Sequence, residues 1–189
     1  SRMNYIRYQL SQTIKKVSWA LKRQSQRSGM TTVQTEVLFG QIAAKKGISG
    51  LELPLKNQGK IHVRGKIDRI DQLVTPESTY LGVIDYKSSH RIFNMTEAYY
   101  GLAMQMLTYL DVALMDAVQL VGQEAKPAGS LYLHVHNPTL SYEGKDDIEQ
   151  QMLKKYQFDG LLMKDPDLLD HLDTSLQAKQ SSLLFPIEE

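Results

Sequence analysis

Three side chains near the middle of the chain combine types and spacing that suit work on a hard cation: Asp68, Asp85 and Lys87. Asp85-Tyr86-Lys87 closes the stretch Thr79–Lys87, and strand side chains alternate, so Asp85 and Lys87 project from one face about 7 Å apart. Leu81 and Val83 share that face, which places the charged pair after an apolar run. Burying a carboxylate and an ammonium there costs several kcal/mol unless they pair or bind a metal. Asp68 comes from the preceding stretch, just after Gly65, where another backbone can approach. Two carboxylates one strand apart make an oxygen site suited to Mg²⁺ or Mn²⁺. A lysine beside them can stabilise charge that builds on a phosphoryl oxygen or on an attacking water. The two carboxylates should converge enough to share one cation, with the Lys87 ammonium within a few ångströms of Asp85.

The elements that must position these groups follow from periodicity and punctuation. Residues 3–28 predict a helix, with Ile6, Leu10, Ile14, Val17 and Leu21 near a 3.6-residue period. Ser28-Gly29 interrupts it, and Thr31 or Thr32 predicts the cap of a second helix through about Lys46, ended by Gly47. Residues 60–72 alternate and are rich in β-branched types, so they predict a strand. The turn residues Thr75-Pro76-Glu77-Ser78 lead to a second strand, 79–87, apolar enough to be buried on both faces and expected to pair with the first as a hairpin. Residues 96–119 predict the longest helix after the first, capped by Thr96, with Met104, Met106 and Met115 as core filler. A third strand is expected over 130–136, and a polar tail with short helices near 146–156 and 166–178. This order predicts an α/β fold, a mixed sheet flanked by helices with the 96–119 helix crossing over it.

Bulk composition narrows the function. The 189 residues contain 42% hydrophobic and 23% charged side chains, an ordinary globular balance. No apolar run approaches the roughly 18 residues of a membrane span, and the chain reads as cytoplasmic with no membrane partner. Zero cysteines exclude disulfides, thiolate zinc sites and a cysteine nucleophile in this segment. The net charge is only +1, but residues 1–46 hold nine Lys or Arg against the single acid Glu36, while residues 143–189 hold eleven acids against five lysines. A basic first quarter can track phosphates, or can equally be a solvated helix face. His134 and His136 share a strand face but have no third ligand in view for zinc. Ser88, Ser89 and Ser130 lack the spacing of a Ser–His–Asp constellation.

An isolated Asp-x-Lys is most often an ion pair and nothing more. Here it stands in a longer constellation: Gly65-Lys66-Ile67-Asp68-Arg69-Ile70-Asp71, then Val83-Ile84-Asp85-Tyr86-Lys87-Ser88-Ser89, then Gln105 and Tyr109 four apart on one helix face. In order and spacing these resemble the motifs of the RecB-like branch of the PD-(D/E)xK nuclease superfamily, including its Q-x-x-x-Y signature. The wording around them, from about Glu36 to Pro138, is most similar to the AddB/RexB family. The resemblance implies a restriction-endonuclease-like fold in a single domain spanning residues 1–189, excised from a larger subunit. It implies a DNA exonuclease domain of a helicase–nuclease that processes double-strand breaks in repair and recombination, partnered by DNA and an AddA/RexA-like subunit.

Residue by residue, the resemblance implies Asp68 and Asp85 as metal ligands, helped by the backbone carbonyl of Tyr86. Lys87 would orient and activate water, Gln105 would position the lysine or the DNA, and Tyr109 would stack or hydrogen-bond near the substrate. Glu36 occupies the place of the family's acidic residue on the helix before the first motif strand, and would reach the metal directly or through water. Two departures stand out. The family's upstream metal-ligating histidine has no counterpart, since the first histidine is His62 on the Asp68 strand itself. The cysteines that often hold an iron–sulfur cluster in this family are absent, so the chain is either an excised fragment, with any cluster in the full-length protein outside this segment, or a cluster-free variant. The few remaining ligands predict a weak Mg²⁺ or Mn²⁺ site. A non-catalytic DNA-guiding or subunit-docking module that keeps the fold is the alternative.

Overall fold

A computed structural model describes residues 2–40, 47–57, 59–88, 95–141, 147–177 and 180–187, with the backbone alone for 95–99. The chain runs α1 (Arg2–Arg27), β1 (Thr31–Phe39), β2 (Leu51–Pro54), β3 (Lys60–Val63), β4 (Gly65–Val74), β5 (Thr79–Lys87), α2 (Met95–Met115), α3 (Ala117–Val121), β6 (Lys126–His134), α4 (Ile148–Lys155), β7 (Asp159–Leu162) and α5 (Pro166–Leu172). Five strands form one mixed sheet in the order β1-β4-β5-β6-β7, and β2 pairs with β3 in a separate hairpin. β4 and β5 are antiparallel across the Thr75–Ser78 turn, as expected of a hairpin. β5 and β6 are parallel, which requires a crossover, and α2 supplies it.

Both faces of the sheet are covered. On one, α2 and α3 pack over Val37, Phe39, Ile70, Leu81 and Val83 through Met106, Leu110, Val112 and Ala113. On the other, Leu73, Tyr80, Ile84, Leu131 and Leu133 meet Ala20 of α1, Leu153 and Tyr156 at α4, and Leu168 and Leu172 of α5. β5 is therefore buried on both faces along Thr79–Asp85, as its unbroken apolar run predicts. The tail is no appendage: Leu153, Tyr156, Phe158, Leu168, Leu172, Leu184 and Phe185 build much of the second core. Its acids meet the basic N-terminal helix, with Arg23 on Glu149 at 2.8 Å and Arg27 on Asp173 at 3.2 Å. Part of the charge segregation along the sequence is thus internal pairing.

Several expectations are corrected. Residues 31–39 form an edge strand paired with β4, not a helix, and residues 41–46 of the expected helix lie outside those described. β-Branched Thr31, Thr32, Val33, Thr35 and Val37 favour a strand, but a register shift between Thr32 and Gln34 breaks the alternation that would announce it. The single strand expected over 60–72 is two, split at Arg64. Gly40, at φ +69°, lets the end of β1 pass against the Val63–Arg64 backbone, where a Cβ would clash with the Val63 carbonyl oxygen. The third strand begins at Lys126, four residues early, and the helix over 96–119 breaks at Asp116. That helix already begins at Met95, and the Thr96 side chain lies outside those described. Of the three methionines, only Met106 is core; Met104 and Met115 are exposed. Ile6, Leu10 and Ile14 of the α1 stripe are also exposed, while Val17 and Leu21 pack on the core. No helix of the described residues is long and apolar enough to cross a membrane.

Leu172 is fully buried between α5, α1 and the sheet. Leu172→Ala is expected to cost roughly 2–5 kcal/mol of stability, read as a lower urea midpoint at an unchanged slope.

Candidate active site

The β4–β5 ladder sets the geometry. Its last paired residues are Arg69 and Ile84, so the same register places Asp68 beside Asp85. Here a side chain takes over from the backbone ladder: Asp68 Oδ2 accepts the Tyr86 amide at 2.9 Å. On the other side β5 continues in parallel register with β6 as far as Lys87 opposite His134, and the Val135 amide donates to the Lys87 carbonyl at 2.7 Å. The strand end is thus held from both flanks while one flank opens around the carboxylates. Asp85 and Lys87 lie on the α2 face with Leu81 and Val83, and their charged atoms meet: Lys87 Nζ is 2.5 Å from Asp85 Oδ2. The structure therefore brings Asp68, Asp85 and Lys87 together as their spacing requires.

The site is electrostatically incomplete. Asp85 is only 8% exposed, and its Oδ2 is buried against the Lys87 ammonium. Burial pushes the Asp85 carboxyl above the usual carboxylate range; Lys87 opposes the shift and the neighbouring Asp68 carboxyl adds to it. A hard divalent cation would offset the negative charge gathered here, and carboxylate oxygens are the donors that such a cation prefers. Asp68 and Asp85 fit that role, with water completing the shell. Among the described residues no group of three or more His, Asp or Glu side chains converges, so the protein's own share of ligands is small.

α2 delivers two more polar groups. Gln105 Nε2 donates to Tyr109 Oη at 3.1 Å, which fixes both side chains on one helix face. The Tyr109 hydroxyl is pushed above its ordinary value by burial and then by the negative charge of Asp85; Gln105 and Lys87 oppose this, and Asp68 adds to it. Tyr109 thus sits within the field of all three charged groups. Its ring meets Phe39 edge-on at 5.6 Å, and Gly65 makes room: a Cβ there would lie 2.9 Å from two Phe39 ring carbons and 3.6 Å from Tyr109. The glycine three residues before Asp68 is needed for ring packing that aims Tyr109 at the site.

Glu36 stands apart from this convergence. It lies on β1, between residues paired with Arg69 and Ile67, hence opposite Asp68, at φ +53°. Its carboxylate is exposed and bound to Lys66 Nζ at 2.9 Å. His134 ends β6 beside Lys87, ringed by Tyr132 and His136 at 5.3 and 6.4 Å. Spacing along the sequence assigns no role to Arg69 and Asp71, yet they form a buried network directly behind the site. Arg69 donates to both Asp71 oxygens at 2.8 and 2.6 Å and to Tyr86 Oη at 3.1 Å. The alternation of Arg69 with Asp71 on one strand face was the available signal.

The raised Asp85 pKa has a thermodynamic consequence. A carboxyl that binds its proton more tightly folded than unfolded loses stability as pH rises from the ordinary range near 3.9 through its raised folded value. The metal-free protein at neutral pH carries that cost. Asp85→Asn is expected to melt higher than wild type at pH 7 in chelator, with the gap narrowing as pH falls towards about 4. Mn²⁺ is expected to raise the melting temperature of the wild type and not of the variant. Melting curves across pH, with and without Mn²⁺, check both.

The chain is similar in sequence to known proteins. The family model described as PD-(D/E)XK nuclease superfamily matches residues 1–184. The chain is 47% identical over 195 residues to an ATP-dependent helicase/deoxyribonuclease subunit of Latilactobacillus sakei, covering 97% of this chain and 16% of that protein. It is 45% identical over 191 residues to the subunit of the same name from Lactiplantibacillus plantarum, covering 98% and 16%. With the corresponding Listeria welshimeri protein it shares 39% over 190 residues, covering 99% and 16%. The chain spans about 16% of the length of these relatives. A mixed sheet flanked by helices, two carboxylates and a lysine at the open end of its central hairpin, and a family match over nearly the whole length agree: the chain belongs to the PD-(D/E)XK nuclease superfamily.

Proposed function

We propose that this chain is the metal-dependent nuclease domain of a larger helicase–nuclease subunit, a single domain over residues 1–189 with its motif core at about 36–138. The observation that carries the reading is the Asp85 carboxylate, buried beside Asp68 and Lys87. A structural ion pair needs no second carboxylate beside it, and burying Asp85 next to Asp68 is costly even with Lys87 in place. The relatives' shared name, as a subunit of an ATP-dependent helicase/deoxyribonuclease, points to DNA as substrate and to a helicase partner. We extend this to exonucleolytic phosphodiester hydrolysis in double-strand break repair and recombination, with an AddA/RexA-like partner in the cytoplasm.

Asp68, Asp85 and the Tyr86 carbonyl would hold Mg²⁺ or Mn²⁺, with Glu36 reaching it through water. A cation bound there supplies a lowered water pKa and neutralises charge on the phosphate. The protein's own groups do the rest. Asp68 and Asp85 would fix the cation, and through it the scissile phosphate, relative to the strand ends. Lys87, which is one-third exposed, turns its ammonium towards the phosphoryl oxygen that gains charge in the transition state. Gln105 holds the Tyr109 hydroxyl, and Tyr109 presents its ring and hydroxyl to the DNA beside that phosphate. The alternative of a non-catalytic DNA-guiding or docking module draws on one observation, the absence of a third converging ligand among the described residues.

Cleavage of linear single-stranded DNA with Mg²⁺, Mn²⁺ or chelator, by the chain alone and by the full-length protein, separates these readings. Asp68→Ala and Asp85→Ala in the full-length protein are expected to abolish cleavage while the fold is kept. Either variant cutting at near the wild-type rate sinks the assignment. Lys87→Ala is expected to slow single-turnover cleavage by about 10² or more with Mn²⁺ affinity, measured by calorimetry, largely kept. Loss of metal binding with an unchanged rate at saturating metal would refute its role.

A further inference from the structure

The Arg69–Asp71 network lies on the face of the sheet opposite the carboxylates, and resting on the nuclease reading above, it deepens it. Tyr86 is the residue between Asp85 and Lys87, so its side chain points the other way, into the second core. Its hydroxyl accepts from Arg69 Nη1 at 3.1 Å, and Arg69 is clamped by both Asp71 oxygens. Arg69 also lies over the Phe158 ring, 5.7 Å from the ring centroid. The Asp71 side chain is 2% exposed and that of Arg69 15%. A pair buried so deeply adds little stability over apolar groups of the same volume, since its desolvation cost offsets its attraction.

The network's position gives it a different use. The β4–β5 ladder stops at Arg69–Ile84, and the next contact between the strands is Tyr86 N–H to Asp68. The β6 ladder holds the other flank through Lys87, so on the β4 side the twist of the strand end, and with it the approach of Asp85 and Lys87 to Asp68, rests on that single amide contact and on whatever fixes Tyr86. We propose that Arg69 and Asp71 are positioning residues: they hold the Tyr86 hydroxyl, and Tyr86 in turn fixes its own amide on Asp68 and the angle at which Asp85 and Lys87 face the cation. Arg69 anchors this bracket on β4, one residue after Asp68. Asp68 is therefore tied to the buried Arg69–Asp71 pair through Tyr86, the residue between Asp85 and Lys87, in one continuous chain of contacts: Asp68, Tyr86 amide, Tyr86 hydroxyl, Arg69, Asp71. Groups that orient metal ligands from behind in this way typically change affinity or activity by roughly 10–100-fold when removed.

Three variants of the full-length protein test this. Tyr86→Phe keeps the ring in the core and deletes only the acceptor for Arg69. Arg69→Met with Asp71→Leu replaces the ion pair by apolar groups, and Arg69→Lys with Asp71 intact is the conservative variant. Mn²⁺ affinity, read by electron paramagnetic resonance without DNA, is expected to weaken about 10-fold in Tyr86→Phe and in the double variant. The kcat for cleavage should fall at least as much, with KM for DNA and the melting temperature near wild type, and Arg69→Lys should recover part of the loss. Wild-type Mn²⁺ affinity and kcat in Tyr86→Phe overturn the proposal even if the double variant fails to fold. Losses that track the melting temperature and KM also overturn it, because they mark a purely structural pair. If the wild type binds Mn²⁺ but cuts no DNA, the nuclease reading fails, and the Mn²⁺ affinities of the variants still decide this one.

Discussion

Two carboxyl groups and one ammonium crowd the open end of a strand that is otherwise apolar on both faces. Everything around them manages that crowding. Burial raises the proton affinity of Asp85, and the neighbouring Asp68 charge adds to it. Lys87 offsets only part of the penalty. The fold stores an unmet demand for positive charge at one point, and the position of that point is set by backbone register.

The surrounding architecture makes the demand stable. A hairpin guarantees that Asp68 and Asp85 are neighbours whatever the rest of the chain does, because their register is local. The parallel partner β6 secures the far side of β5 but can do so only through a crossover, and the crossover helix is what brings Gln105 and Tyr109 over the same end. Ser130 ties that helix down from below, its hydroxyl bonded to the Met106 carbonyl at 2.9 Å in a buried position. The same connection thus closes the sheet and roofs the site. The second core behind β5, built from both chain ends, keeps the strand from yielding when charge is placed on its front.

The chemistry of the site was legible in the sequence because it rests on period-two alternation and a short turn. Hairpin spacing alone brings Asp68, Asp85 and Lys87 together, whereas Gln105 and Tyr109 were singled out by the resemblance to a family motif, their spacing saying only that they share a helix face. What escaped reading depends on long-range pairing or broken periodicity. β1 carries a register irregularity near Val33, so two threonines ahead of spaced valines look like a capped helix. Strands of four residues, such as β2 and β7, are too short for alternation to declare itself. The tail reads as polar because its buried leucines and aromatics are thinly spaced, and only contact with α1 reveals them as core. Arg69 and Asp71 were visible as residues but not as a bracket, since Tyr86 comes from the next strand.

The attachment of α1 also bears on how this chain is made. Arg23, Gln24 and Arg27 find their partners 126 to 146 residues later, in Glu149, Tyr156 and Asp173. At roughly 5–20 residues per second, those partners leave the ribosome several seconds to about half a minute after the helix does. Through that interval Val17, Leu21 and Ala20 have no acids or leucines of the tail to rest on, while the hairpin bearing both carboxylates can already close. During synthesis α1 thus stands without its tail partners ahead of a nearly complete site, so this part of the second core is among the last to close.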